Sequence, residues 1–153
     1  MNYNNVNDNS KQLIEIANKI LSKEPFSIFL EAKILDFQIG SVILEIPISE
    51  NYLQQNGFVH GGVLSYAADN ALSFAGGSVL GTNVLTLEFK INYLRPAIGK
   101  SLLAYGNAIY SSKRQAACRS DIYVVNKEDD KKLCAIAQGT IITIDNQNNS
   151  KMS

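Results

Sequence analysis

The sequence contains 153 residues, of which 46% are hydrophobic, and its 14 basic and 14 acidic side chains give a formal net charge of zero. This length predicts one domain with a substantial core. A neutral chain has no overall field that favours nucleic acid or an anionic membrane, so neither partner is expected. No apolar run approaches the roughly 20 residues that a membrane-spanning helix needs.

The N-terminus is polar and rich in asparagine, which is not typical of a secretory signal. The two cysteines, Cys118 and Cys134, are isolated and lie within predicted strands. Buried thiols in a reducing compartment are therefore favoured over a disulfide. We predict a cytoplasmic location from these features.

Both ends of the chain contain too little apolar surface to offset the entropy of ordering. Residues 1–9 and 146–153 are therefore predicted to be disordered tails around a single domain over residues 10–145. Apolar residues at helical spacing predict an amphipathic helix from Ser10 that ends before Pro25. Two β-rich segments, residues 27–38 and 41–49, predict strands joined by a hairpin turn at Ile39 and Gly40.

In the segment between Glu50 and Glu88, Asp69 is the only charged residue if His60 is neutral. From Gly61 to about Val79 apolar side chains occupy most faces and proline is absent, which predicts a helix buried nearly all round. A glycine pair at residues 76–77 is expected to loosen its end. A carboxylate inside such a helix is costly to desolvate unless a neighbour satisfies it or a reaction uses it.

Two interpretations of Asp69 follow from its helical neighbours. Small and polar residues share its side of the predicted helix, namely Gly62, Ser65, Tyr66, Ser73 and Gly76. The hydroxyl groups among them could cap a purely structural carboxylate. The same small side chains would also leave room for a substrate beside a functional carboxylate.

The clearest predicted strand begins after Gly81. Residues 84, 86, 88, 90 and 92 alternate with the apolar residues 85, 87, 89, 91 and 93, and the strand ends at Arg95 and Pro96. Three further strand-like segments with short connections imply an antiparallel meander. The predicted class is α+β, with about six antiparallel strands around one long central helix and an additional N-terminal helix.

The stretch N-G-F-V-H-G-G-V-L-S-Y-A-A-D-N at residues 56–70, followed by T-L-E-F-K-I-N-Y-L-R-P at residues 86–96, resembles the hotdog-fold acyl-CoA thioesterases of the phenylacetic-acid-degradation (PaaI) type. The diagnostic features are His-Gly-Gly, an aspartate nine residues after the histidine, and a strand ending in Arg-Pro. The resemblance implies a curved sheet around a long helix, and homodimers that pair through sheet edges and often assemble into dimers of dimers. It also implies hydrolysis of an acyl-CoA thioester, with coenzyme A as part of the substrate and no metal or redox cofactor.

The resemblance implies roles for individual residues. Asp69 would be the general base or nucleophile. The helix would begin with Gly61 and Gly62, and the backbone N–H of Gly61 would donate a hydrogen bond to the thioester carbonyl. His60 would help to position that end of the substrate, or would fix the loop structurally. As the only histidine, it cannot belong to a multi-histidine metal site. Thr86 stands where related sequences hold the attacking water with serine or threonine.

Three polar residues are assigned to substrate binding more loosely. Related sequences often carry asparagine six residues before the histidine, where this chain has Gln54, and either Gln54 or Asn56 could supply that contact. Arg95 could meet the phosphates of coenzyme A, although a solvated turn charge is an equal alternative. The acyl group is predicted to be medium-chain or aryl, and the aromatic residues Phe58, Tyr66, Phe74 and Tyr93 could line its pocket or belong to the core.

Spacing along the helix adds a prediction about assembly. Asp69 follows Gly61 by eight residues, which separates their backbones by about 12 Å along a helix. One carbonyl cannot contact both in a single chain, so we predict two equivalent sites at a homodimer interface. The alternative function is a non-catalytic acyl-CoA-binding or regulatory module, and a hotdog-type dehydratase is a third candidate whose motif is missing.

Overall fold

The computed structural model describes residues 3–127 and 130–144. The helices are α1 (Tyr3–Leu21), α2 (Pro25–Phe29) and α3 (Gly61–Leu80), with one turn of 3-10 helix at Glu50–Tyr52. The strands are β1 (Lys33–Gln38), β2 (Ser41–Pro47), β3 (Val84–Tyr93), β4 (Ser101–Ser111), β5 (Gln115–Lys127) and β6 (Asp130–Thr143). None of these helices combines the length and the apolar composition that crossing a membrane requires.

One antiparallel sheet organises the fold, with strand order β1-β2-β4-β5-β6-β3. The predicted meander is the consecutive set β4, β5 and β6, whereas β3 pairs with β6 after the chain has passed through α3. The curved sheet wraps α3, which packs against β2, β3, β4, β5 and β6. The predicted class is confirmed, and the observed element order matches the prediction apart from the short helix α2.

Helix α1 ends at Leu21, in agreement with the predicted end before Pro25. It begins at Tyr3, seven residues before the predicted start, because no glycine or proline interrupts the helix between Tyr3 and Leu21. Of the predicted disordered tails, residues 1–2 and 146–153 lie outside the described residues.

The prediction of a strand over residues 27–38 is wrong for its first half. Pro25 occupies the first turn of α2, where its fixed φ suits a helix, and the Ser27 hydroxyl donates to the Glu24 carboxylate at 2.6 Å. Glu31 then adopts a φ of 53°, and β1 begins at Lys33. Apolar composition alone does not distinguish a short helix from a strand.

The predicted hairpin is confirmed at the next turn. Gln38 pairs with Ser41, so Ile39 and Gly40 form a two-residue connection between β1 and β2. Gly40 has a φ of 85°, a conformation that glycine adopts without a Cβ penalty.

Helix α3 supplies the centre of the core. Its buried residues are Val63, Leu64, Ala67, Ala68, Ala71, Leu72, Ala75 and Gly76. A Cβ at Gly76 would lie 2.7 Å from Ile141 of β6, so the glycine permits close packing on the sheet. Gly76 is therefore on the sheet side of α3, not on the side of Asp69, and the helix continues past the glycine pair to Leu80 before ending at Gly81. The predicted helix from Gly61 to about Val79 is confirmed.

Both cysteines are free, and both are fully buried. Burial raises the pKa of each thiol to about 11, so little thiolate exists near neutral pH. The prediction of two buried thiols is confirmed.

Candidate active site

Asp69 lies half-buried on α3 and belongs to a chain of hydrogen bonds. Its Oδ1 accepts from the Thr86 hydroxyl at 2.6 Å, and the Thr86 hydroxyl lies 2.8 Å from that of Ser73. Because a hydroxyl has one proton and that of Thr86 is given to Asp69, Ser73 must be the donor to Thr86. The second carboxylate oxygen, Oδ2, has no partner in the part of the chain that the structure describes. Asp69 therefore has one fixed oxygen and one available acceptor.

A β-bulge in β3 brings Thr86 to Asp69. The pairing with β6 shifts between Thr86 and Glu88, so Leu87 has no partner residue across the ladder. Before the bulge the even-numbered residues are less exposed, namely Val84 and Thr86. After it the odd-numbered residues Phe89 and Ile91 are less exposed, so the face that points to α3 changes at the bulge. The predicted uninterrupted alternation along this strand is wrong, since one extra residue reverses the face.

The N-terminus of α3 forms a second group of candidate residues. His60 caps the helix: its Nδ1 accepts from the Gly62 N–H at 2.9 Å, and its carbonyl oxygen accepts from Val63 and Leu64. Within residues 3–127 and 130–144, the Gly61 N–H has no acceptor. It is the free donor of the first helical turn, at the positive end of the helix dipole.

Tyr93 braces this helix start, a contact that the sequence did not predict. Its hydroxyl donates to the Gly61 carbonyl oxygen at 3.2 Å and lies 2.7 Å from the Ser65 hydroxyl. A Cβ at Gly61 would lie 3.4 Å from the Tyr93 ring. The ring thus leaves space for a residue no larger than glycine or alanine at this position.

The looser binding candidates lie near the same end of α3. The Gln54 side chain donates to the Val59 carbonyl oxygen at 3.4 Å, one residue before His60. Asn56 is exposed in the turn that follows. Arg95 is also exposed, and the segment after it reaches the same loop, because the Val59 N–H donates to the Ala97 carbonyl oxygen at 3.1 Å.

The candidate residues therefore form two groups at different points along α3, with Thr86 contributed by β3. Asp69, Thr86 and Ser73 form the first group, which we call the carboxylate group, and His60, Gly61 and Gly62 form the second, the helix-start group. The eight residues from Gly61 to Asp69 separate the two groups by about 12 Å along the helix axis. No single carbonyl within one chain reaches both.

A cavity of about 670 Å³ opens beside Asp69. Its walls come from α1, the β1–β2 hairpin, α3 and β3. Among the predicted pocket aromatics Phe74 lines it, and Phe58, Tyr66 and Tyr93 do not. Volumes of this size are typical of small-molecule sites.

The hydroxyl groups that could cap a structural carboxylate are mostly committed elsewhere. Tyr66 donates to Ser27 at 2.6 Å, and Ser65 bonds to Tyr93. Burial raises the pKa of Tyr66 to about 12, so it remains a neutral donor to Ser27. Only Ser73, acting through Thr86, belongs to the carboxylate group. Its spacing of four residues from Asp69 is the signal that places it on the same side of the helix.

Comparisons with known proteins identify relatives of this chain. A model of the thioesterase superfamily matches residues 56–131. A proposed esterase of Saccharolobus solfataricus is 28% identical over 113 residues, covering 73% of this chain and 78% of the relative.

Solved structures share the whole fold. A thioesterase family protein from Silicibacter pomeroyi is 25% identical with a TM-score of 0.80, covering 86% of this chain and 98% of that chain. The PaaI protein from the phenylacetic acid degradation operon of E. coli is 20% identical with a TM-score of 0.73, covering 89% of this chain and 96% of that chain, and this likeness is one of fold. Together these matches confirm the resemblance to the thioesterase superfamily and the hotdog fold.

Proposed function

We propose that this protein is an acyl-CoA thioesterase in which Asp69 acts as the general base. The observation that carries the proposal is the hydrogen-bond chain from Ser73 through Thr86 to Asp69, which leaves one carboxylate oxygen available beside a cavity. A carboxylate held in this way can accept a proton from water without first reorganising.

The proposed reaction needs no other acid or base on the protein. Water adds to the thioester carbonyl carbon as Asp69 Oδ2 accepts its proton, and the carbonyl oxygen becomes an oxyanion. The carbon–sulfur bond then breaks, coenzyme A leaves as a thiolate, and the proton held by Asp69 is released to the thiolate or to solvent. The products are a carboxylic acid and free coenzyme A, without a metal or redox cofactor.

The oxyanion needs a hydrogen-bond donor, and the Gly61 N–H is the one available at the start of α3. Capping by His60 holds the neighbouring N–H groups and so leaves this one for the substrate. Since His60 Nδ1 accepts a hydrogen bond, its proton in the neutral form lies on Nε2, which can help to orient the thioester end.

Two subunits are needed to complete this site, because Gly61 and Asp69 are about 12 Å apart on one helix. A two-fold axis that runs two copies of α3 antiparallel would bring Asp69 of one protomer near the Gly61 N–H of its partner. We therefore propose a homodimer with two shared sites, which could pair further into a dimer of dimers.

The two edge strands of the sheet, β1 and β3, indicate which edge would pair with a second subunit. At β1, the Asn18 side chain bonds both the N–H and the carbonyl oxygen of Ile34, at 2.9 and 3.0 Å, and so occupies that edge. At the other edge, β3 pairs only with β6 among the described strands. Leu85 and Leu87 are 56% and 62% exposed there. A long edge strand with exposed apolar side chains favours pairing with a second copy.

Coenzyme A would lie at the helix-start end. Arg95 is exposed near this end, and its guanidinium suits phosphate oxygens. Gln54 or Asn56 could add a polar contact to the pantetheine arm. A cytoplasmic location, where acyl-CoA is available and free thiols persist, is part of the proposal.

The test is release of free thiol from a panel of short-chain, medium-chain and aryl acyl-CoA esters, followed with a thiol reagent under saturating substrate. We expect turnover of at least one class at about 1 s⁻¹ or faster, within the ordinary range for enzymes. Tight binding of acyl-CoA without any thiol release would instead identify the non-catalytic binding module.

The hydroxyl that bonds Asp69 directly should contribute more to catalysis than the one that acts through it. Thr86→Ala removes a bond to a charged carboxylate and should lower kcat about 10-fold to 100-fold. Ser73→Ala removes a bond between neutral groups and should lower kcat about fivefold. Thr86→Ser, which keeps the hydroxyl, is the matched control and should retain most of the activity. Equal losses in Thr86→Ser and Thr86→Ala would mean that the hydroxyl has no role.

A further inference from the structure

We propose that the cavity beside Asp69 is a chamber for an unbranched, medium-chain aliphatic acyl group, that α1 covers it, and that Gly77 sets its depth. This inference rests on the proposed thioesterase function and selects between the aliphatic and aryl substrates that the sequence leaves open. The inference is based on the length of the cavity and on the apolar and acidic residues that line it.

Two helices, α1 and α3, line the chamber, each with one face. From α3 the lining residues recur every three or four positions and are Asp69, Asn70, Ser73, Phe74, Gly77 and Ser78. From α1 they are Leu13, Ile16, Ala17 and Ile20, also at helical spacing. Ile16 and Ile20 remain 48% and 40% exposed in the structure, although they belong to the apolar face of an amphipathic helix. An apolar ligand between the helices would cover them.

The chamber is elongated along α3. Asp69 lies at one end and Gly81 at the other, a span of twelve residues that corresponds to about 18 Å. An extended octanoyl to dodecanoyl chain fits within that length, whereas a benzoyl group would fill only the part nearest to Asp69.

Several polar side chains in the walls already have partners within the protein, Ser78 and Asn70 among them. The Ser78 hydroxyl donates to the Ala75 carbonyl oxygen and accepts from the Gly40 N–H, both at 2.7 Å. The charged residues in the lining are Asp69 and Glu24, and both are acidic. An acyl group that ends in a carboxylate would meet no cation there and would be repelled. The walls therefore favour an acyl chain without polar substituents.

Gly77 controls the depth of the chamber because it has no side chain two thirds of the way along this span. A Cβ there would lie 3.3 Å from Val84 Cγ2, a contact that a small shift of Val84 can accommodate. A leucine at this position would extend into the chamber, and leucine is favoured over glycine in a helix. The substitution should therefore shorten the chamber without destabilising the fold.

The experiment measures kcat/KM for butyryl-, octanoyl-, decanoyl-, dodecanoyl-, benzoyl- and succinyl-CoA with the wild-type protein, Gly77→Leu and Ile16→Trp. Ile16→Trp fills the chamber from α1, so it is an independent approach if Gly77→Leu fails to fold. Glu15→Trp is its matched control, since Glu15 is exposed and does not line the cavity. Thermal unfolding checks each variant.

We expect wild-type kcat/KM to be highest for octanoyl- to dodecanoyl-CoA. Both chamber variants should lose about tenfold or more on decanoyl-CoA, in line with the 10- to 200-fold effect of a poorly fitted methylene, and should change little on butyryl-CoA. Glu15→Trp should keep the wild-type profile. The proposal is overturned if folded chamber variants keep the wild-type chain-length profile, or if the wild-type protein prefers benzoyl- or succinyl-CoA while still hydrolysing thioesters.

Binding of a non-hydrolysable decanoyl-CoA thioether, measured by calorimetry on the same variants, separates this inference from the proposed function. If the wild-type protein hydrolyses nothing but binds the thioether, and both chamber variants weaken that binding about tenfold or more, the chamber assignment stands and the thioesterase function fails. If neither variant weakens binding, the chamber assignment fails as well.

Discussion

Asp69→Asn should reduce thioester hydrolysis by about a thousandfold or more, because general-base catalysis contributes up to about 10⁴-fold and an amide cannot accept the proton of water in this way. Stability should change little, since the asparagine side-chain oxygen can still accept the Thr86 hydrogen bond that Asp69 Oδ1 accepts at 2.6 Å. The loss should appear in kcat, with KM for the acyl-CoA nearly unchanged.

Asp121→Asn is a suitable matched control for this change. Asp121 pairs with Arg119 at 2.9 Å on β5 and does not line the cavity. It should keep wild-type turnover. Hydrolysis by a folded Asp69→Asn variant at more than about one tenth of the wild-type rate would exclude Asp69 as the base.

Gly61→Val should also abolish most activity, by a different route. The Tyr93 ring would lie 3.4 Å from the new Cβ, so the added methyl groups crowd the helix start and block approach to the Gly61 N–H. Loss of one oxyanion donor costs about 10²- to 10³-fold in kcat, and we expect a loss of that size.

Gly61→Ala tests whether size is the cause. Its single methyl group makes an ordinary contact with the Tyr93 ring, and it should keep substantially more activity than Gly61→Val. Tyr93→Phe, which removes the hydroxyl bonded to the Gly61 carbonyl oxygen, should cause only a modest loss. Full activity in Gly61→Val would show that this N–H does not contact the reacting carbonyl.

The long elements were predictable, though from different signals. The strand that became β3 follows from its period-two spacing, helix α3 follows from a long apolar segment without proline, and the meander follows from strand-like segments with short connections. The short helix α2 was missed, since five residues contain little more than one helical turn and Pro25 gives the only strong local signal.

The site was predictable where its residues share one helix. Asp69 and Ser73 are four residues apart on α3, and the helix-start residues are adjacent in sequence. The family resemblance placed Thr86 in the site as a residue that holds the attacking water, but its hydrogen bond to Asp69 was not predicted, because the simple alternation of β3 gave no sign of the bulge at Leu87. After the bulge Tyr93 lies on the same face as Phe89 and Ile91, as period two predicts, but its contact with Gly61 depends on how β3 packs against α3. A single extra residue changes which side chains face α3, and only tertiary pairing with β6 reveals it.

The most direct test of a shared site is to mix the two inactive variants. Asp69→Asn and Gly61→Val homodimers are combined in equal amounts, exchanged under mild denaturation, and the formation of heterodimers is verified by native mass spectrometry. If Asp69 of one protomer works with Gly61 of its partner, each heterodimer regains one intact site. Half of the dimers are then mixed, and about one quarter of wild-type activity should return. Verified exchange with no activity above that of the separate variants would contradict a catalytic site shared between two subunits.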